Sequence, residues 1–264
     1  MSSASPASLS SDPIWTAVRA EAWSEEEREP ILRSYLLQTI LKHKRLEDAL
    51  SLHLAAKLAT SSVPAVLVHE IINEALQSNP AIGKSIRDDL QAVRDRDPAS
   101  RGYLVPFLYF KGFHALQSYR IANWLWGRQR CLLAIQFQSR ISEVFCVDIH
   151  PAARVGSGIL IDHGTGVVIG ETCDIAAHVK IYQGVTLGAL SFDKDHEGNL
   201  IRGTKRHPTI EERVVIYANA TVLGGTTIVG ANSVIGASVS LTKSVPPNTV
   251  VTIEKPSLRF REAV

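Results

Sequence analysis

The chain has no run of 18 apolar residues, so nothing in it reads as a membrane-spanning helix. It has no lysine and arginine cluster either: 28 basic residues against 26 acidic ones leave a formal charge of +2, which gives no footprint for nucleic acid. Cysteine is scarce. Cys131, Cys146 and Cys173 are odd in number and lack the paired spacing of a zinc site, which argues against a disulfide framework and fits a reducing cytoplasm. Residues 1–13 are rich in serine, alanine and proline. They have neither the cationic start nor the apolar stretch of a secretory signal and read as a flexible tail. What is present is the composition of a globular protein, 45% hydrophobic and 20% charged, in a chain of 264 residues that can fold as two modest domains.

Residues 14–146 read as helical. They contain good helix formers and few glycines, with apolar residues three and four apart. Ile14, Trp15, Val18 and Ala22 share a face of a first helix that ends near Arg28, and Pro30 marks the break before the next. Amphipathic segments follow at 46–58, 64–76, 82–96, 110–126 and 131–145. The charge-dense run Arg94 to Asp97 closes on Pro98, as a solvated helix end would.

At Val147 the period changes to six. Ile149, Val155, Ile161, Val167, Cys173, Val179 and Val185 form one ladder. After an interruption at residues 190–208 it resumes as Ile210, Ile216, Val222, Ile228 and Val234. A helix repeats at 3.6 and a strand at 2, so this spacing predicts hexapeptide repeats winding into a left-handed parallel β-helix, three hexads to a turn of about 18 residues. Cys173 falls on an inward position and reads as a small core residue. The predicted fold is therefore α+β: an all-α N-terminal domain, a left-handed β-helix over residues 147–247, and a C-terminal tail over 248–264. The flat sides of such a solenoid favour a trimer, and pairing of trimers into a hexamer is left open.

Chemistry is expected at the corner Asp162-His163-Gly164. A histidine held at a rigid turn can act as a general base near neutral pH. Asp148 precedes it by slightly less than one such turn, so it is expected on a neighbouring coil where it can orient the imidazole. A His-Asp dyad without a nucleophilic serine or cysteine implies direct transfer between two bound substrates. The polar interruption ends in Lys205-Arg206-His207-Pro208, which returns a basic pair and a histidine to the β-helix. His150, His163, His178 and His207 lie in or beside the ladder. They lack the histidine pair about five residues apart used by the trimeric carbonic anhydrases of this architecture, so no metal site is expected.

Several runs together resemble one family. Asp148 to Ala153, Asp162 to Thr172, Gly184 to Gly188 and Lys205 to Pro208 are similar to serine O-acetyltransferase. In the helical half, so are Asp89 to Val93, Arg96 to Pro98 and Tyr109 to Gln117. The resemblance runs from Ile14 to about Pro247 and includes the helical domain, which other hexapeptide acetyltransferases lack. It implies a cytoplasmic enzyme that moves the acetyl group of its co-substrate acetyl-CoA to L-serine for cysteine biosynthesis, with no tightly bound cofactor. On this resemblance His163 is the base and Asp148 its partner. Asp97 and Asp162 hold the substrate ammonium, Arg206 its carboxylate, and His207 is a second active-site histidine. Gly188, Ala189, Ala218 and Ala237 line the coenzyme A path. The site is expected between subunits, with Arg206 and His207 serving a neighbour's His163. Cysteine feedback inhibition is expected at the serine site. Cysteine synthase is the implied protein partner, although Val250 to Val264 depart from the family's Gly-Val-Pro-Ala segment and terminal isoleucine. Acetyl transfer to homoserine or another small amino alcohol is the nearest alternative, and a non-catalytic regulatory partner of cysteine synthase is the alternative of a different class.

Overall fold

The computed structural model describes residues 12–254, so the terminal segments 1–11 and 255–264 expected as tails lie outside the described residues. The N-terminal half is helical: α1 (Pro13–Arg28), α2 (Arg33–Leu36), α3 (Leu46–Leu58), α4 (Ala65–Ser78), α5 (Pro80–Arg96), α6 (Leu104–Tyr109), α7 (Lys111–Gly127) and α8 (Cys131–Phe145). Local chemistry sets the ends. Asp12 caps α1 by accepting from the amides of Ile14 and Trp15, with Pro13 at the first helical position. Asn79 and Pro80 repeat this arrangement at α5. Cys146 ends α8 in the left-handed conformation, and the first strand starts at the next residue. The short helix α6 was not expected from the sequence; its six residues are too few to display a period.

From Val147 the chain winds into a parallel β-solenoid of hexapeptide coils. Strands β1 (Val147–Ile149), β4 (Val167–Ile169), β7 (Thr186–Gly188), β10 (Thr221–Leu223) and β13 (Ser240–Leu241) form one sheet. A second sheet holds β2 (Arg154–Val155), β5 (Asp174–Ile175), β8 (Thr209–Ile210) and β11 (Ile228–Val229). A third holds β3 (Leu160–Ile161), β6 (Lys180–Ile181), β9 (Val215–Ile216), β12 (Val234–Ile235) and β14 (Val250–Val251). Strand β14 pairs with β12 and carries the solenoid beyond residue 247.

The register corrects the ladder in two places. Each side turns two residues inward, such as Val167 with Ile169 and Val179 with Ile181, all of them buried. In the first coil Ile149 pairs with Ile169 and Ile161 with Ile181, whereas in the next Ile169 pairs with Leu187, so the first coil is the longer by two. The extra pair lies at the corner Asp162 to Gly166. A count by sixes from Ile161 to Val167 therefore steps silently from one inward column to the other. In the second block Ile210, Ile216 and Val222 are fully buried, but Ile228 is 42% exposed and Val229 takes the inward place. Gly224-Gly225 supplies the one added residue, since Thr209 pairs with Ile228 where three exact hexads would bring it to Thr227.

The helical half is clamped to the first coil by a buried ion pair. Asp89 of α5 accepts from Arg120 of α7 at 2.7 Å, from Gln117 at 2.9 Å and from the Ile159 amide at 2.9 Å, while Arg120 also donates to the Gly156 carbonyl at 2.8 Å. With these groups matched to one another, the buried charges are compensated. At the start of α7, Gly112 lies directly against the Ile161 carbonyl, where any Cβ would collide, and Lys111 donates to the Thr165 hydroxyl. These contacts seat α7 on the widened corner.

Candidate active site

The widened corner presents His163. Its φ is +58°, flanked by Gly164 at +79° and Gly166 at +77°, so two glycines carry most of the left-handed turn while the histidine accepts a cost of roughly 1–2 kcal/mol. The imidazole is 72% exposed, and its Nε2 lies 3.6 Å from Asp162 Oδ1. Directly along the solenoid the Gly184 amide bonds the Thr165 carbonyl, Asn219 the Gln183 carbonyl and Ser238 the Ala218 carbonyl. The corner thus stacks Thr165, Gln183, Ala218 and Ala237 in a column, with His163 two residues earlier in the same turn.

Asp97 is delivered to the same side by α5, which it caps at the C-terminus. The preceding residue, Arg96, donates to the carbonyls of Gly158 and His178 and accepts at its own carbonyl from Lys180 Nζ at 3.2 Å. Lys180 Nζ also lies 3.2 Å from Asp162 Oδ2. One lysine therefore links the end of α5 to the carboxylate beside His163.

Arg206 and His207 collect at a different corner, and Asp148 lies on strand β1 of the adjoining sheet. The His150 amide bonds the Ile169 carbonyl, Gly170 bonds Leu187 and Gly224 bonds Gly188, which stacks His150, Gly170, Gly188 and Leu223. The His207 ring lies against Gly170, leaving no room there for a Cβ. Its Nδ1 accepts from the Thr172 amide at 3.1 Å and meets the Thr172 hydroxyl at 2.8 Å, which leaves Nε2 as the protonated nitrogen. Burial, followed by the nearby Arg206 guanidinium, pushes His207 down to about 4, so it is neutral at physiological pH. Arg206 is paired with Glu171, whose carboxyl is held below its usual range by that contact.

The expected stacking of Asp148 near His163 is not what the chain does. Because the first coil is lengthened, Asp148 pairs with Val168, and its Oδ1 accepts from Gln138 of α8 at 2.7 Å. Among the described residues, Asp148 and His163 share no hydrogen bond. The coenzyme positions divide the same way: Ala218 and Ala237 follow the His163 corner, whereas Gly188 and Ala189 follow the His207 corner. Sequence reasoning passed over Lys180, Glu171 and Gly170. Lys180 was hidden by a turn of three exact hexads; in the lengthened coil it pairs with Leu160, just ahead of the residue that pairs beside Asp162.

A solenoid of hexapeptide coils with a corner histidine, joined to a helical domain that supplies a carboxylate, defines a hexapeptide-repeat acyltransferase. Similarity to known proteins narrows the class. Residues 14–118 match the family model described as serine acetyltransferase, N-terminal. A probable serine acetyltransferase of rice is 50% identical over 239 residues, 90% of this chain and 65% of the rice protein's length. The Escherichia coli K12 serine acetyltransferase is 46% identical over 236 residues, 89% of this chain and 83% of its own. Among solved structures, the Neisseria gonorrhoeae enzyme in complex with serine superposes with a TM-score of 0.85 at 41% identity, covering 94% of this chain and 99% of its own. The Brucella abortus enzyme in complex with coenzyme A gives 0.87 at 41% identity, covering 94% and 96%. The chain belongs to the serine acetyltransferase family.

Proposed function

We propose that this chain transfers the acetyl group of acetyl-CoA to the hydroxyl of L-serine, giving O-acetylserine for cysteine biosynthesis. Relatives at 41% identity over nearly the whole chain are solved in complex with serine and with coenzyme A. His163 takes the serine hydroxyl proton as that oxygen attacks the thioester carbonyl. The carbon–sulfur bond then breaks, and the proton is returned to the departing thiolate. Asp97 and Asp162 face the ammonium, Arg206 grips the carboxylate bidentately, and neutral His207 donates through Nε2.

One observation carries the assembly of this site. Asp162, His163, Ala218 and Ala237 lie at one corner of the solenoid and Arg206, His207, Gly188 and Ala189 at another, with Asp148 on strand β1 of the sheet between them. Neither corner is sufficient for the chemistry. In a trimer of solenoids packed side against side, the first corner of one chain meets the second corner of its neighbour, which joins His163 to a neighbour's Asp148, Arg206 and His207. The coenzyme path is then a cleft between two chains. Trimers pairing through the helical halves, and cysteine synthase as a partner, extend the same reading. Among the described residues no helix is long and apolar enough to cross a membrane, and three free cysteines fit a reducing cytoplasm.

The test mixes purified protein with acetyl-CoA and a panel of serine, homoserine and ethanolamine while free thiol release is followed. Serine-dependent release is expected. Its absence would sink the reading, and a preference for homoserine would move the acceptor by one methylene.

A further inference from the structure

Lys180 sits in an unusual place for a lysine. Its side chain is only 10% exposed, yet its polar contacts belong to the acceptor side of the site: Asp162 Oδ2 at 3.2 Å, the Arg96 carbonyl at 3.2 Å, and the Tyr182 ring face with its centroid 4.6 Å away. Burial opposes the charge, but the contacts with Tyr182 and Asp162 outweigh it and hold the ammonium above the usual lysine range. Lys180 is therefore a permanent cation, lodged against one of the two carboxylates that face the substrate's ammonium. The other half of the site is arranged in the same sense, with Arg206 already paired to Glu171. Both ends of a zwitterionic amino acid thus meet groups that carry an internal counter-ion.

We propose that Lys180 is a specificity-determining residue, a resident counter-ion standing at Asp162 where the ammonium of the amino-acid acceptor binds. The proposal rests on the acetyltransferase reading above. Acceptor binding is then an exchange, in which the incoming ammonium takes over part of the carboxylate surface from Lys180. The charge count explains the use of such a device. Asp97 and Asp162 carry two negative charges and Lys180 one positive charge, so the subsite presents a net charge of minus one and is neutralised by a single ammonium. Without Lys180 the same pocket presents minus two and attracts any small cation, whether or not it has a carboxylate for Arg206.

The experiment compares wild type, Lys180→Met and Lys180→Arg as full-length proteins in the thiol-release assay. Serine is varied at saturating acetyl-CoA, with ethanolamine, a cation without a carboxylate, as competitor. For Lys180→Met the KM for serine is expected to fall at least fivefold and the inhibition constant of ethanolamine by a larger factor, with the effect in KM rather than kcat. Lys180→Arg, which keeps the charge, is expected to restore both constants toward wild type. If Lys180 merely props Asp162, the methionine variant raises KM or leaves it unchanged, and arginine, with its different shape, does not rescue it; either result overturns the proposal. Lys180→Gln replaces the methionine variant should the latter not fold. Wild-type protein without serine-dependent release would overturn the acetyltransferase reading and this proposal together, whereas release with an unresponsive KM overturns this proposal alone.

Discussion

His207 and Gly170 show how a side chain of a single hydrogen atom can make room for an imidazole ring. The imidazole occupies the space a Cβ at position 170 would need, and Thr172 fixes its tautomer through Nδ1. Gly170 does not have positive φ, so alanine is tolerable to its backbone and intolerable only to the histidine. Gly170→Ala is therefore expected to reduce kcat/KM for serine about tenfold or more, equivalent to about 1.4 kcal/mol of transition-state stabilisation, by displacing His207. Steady-state kinetics against serine check this, and an unchanged kcat/KM would mean that His207 is not in the reaction path. Lys180 and Glu171 belong to this scale too. Each pairs with a group proposed to bind substrate, and each is identifiable only from its contact, since an isolated lysine or glutamate in a solenoid carries no signal.

Elements explain what single residues cannot. The short helix α6 is held by two buried histidines: His53 of α3 meets the Leu108 carbonyl at 3.1 Å, and His114 of α7 meets the Phe107 carbonyl at 2.7 Å, with the two rings 5.0 Å apart. Burial pushes His53 down to about 4 and His114 to about 3, and their proximity adds to the depression of His114. Unfolded histidine takes a proton near 6.5, so below that pH the unfolded chain binds protons that the folded chain refuses. Stability is expected to be at its plateau above about pH 6.5 and to fall as pH drops toward about 4, by up to roughly 1.4 kcal/mol per pH unit for each histidine. Urea denaturation at pH 7, 6 and 5 measures the slope, and His53→Gln should flatten it; an unchanged slope would show that His53 does not contribute. The solenoid corner is the other element with a consequence. Its added pair of residues leaves the His163 side chain exposed while Asp162 stays bonded to the next coil, and α7 braces the bulge through Lys111 and Gly112.

At the scale of the whole molecule, a site split between two corners makes a prediction no single chain can satisfy. His163→Ala and Arg206→Ala should each be inactive alone. Co-assembled in equal amounts they should recover about a quarter of wild-type activity, because random mixing joins two intact halves at about one interface in four. Co-expression in equal amounts, verification of mixed oligomers with two tags and the thiol-release assay on the unfractionated mixture provide the measurement. No recovery in verified mixed oligomers would place the complete site within one chain. The mass of the assembly in solution decides between trimer and hexamer in the same preparation.

The sequence by itself determined the architecture, because a solenoid is local. Each coil rests only on the next, so the period of six reports the inward face directly, and the helical segments announce themselves through caps, prolines and 3.6-residue spacing. The candidate residues His163, Asp148, Asp97, Asp162, Arg206 and His207 were legible as motifs within their runs. The tertiary structure alone decided the register. A pair of residues added at one corner and a single one at Gly224-Gly225 leave the six-residue count undisturbed to the eye, yet they change which residues stack, moving Asp148 onto Val168 and Lys180 within reach of Asp162. Contacts between coils depend on the number of residues in a full turn, a sum that no single repeat contains.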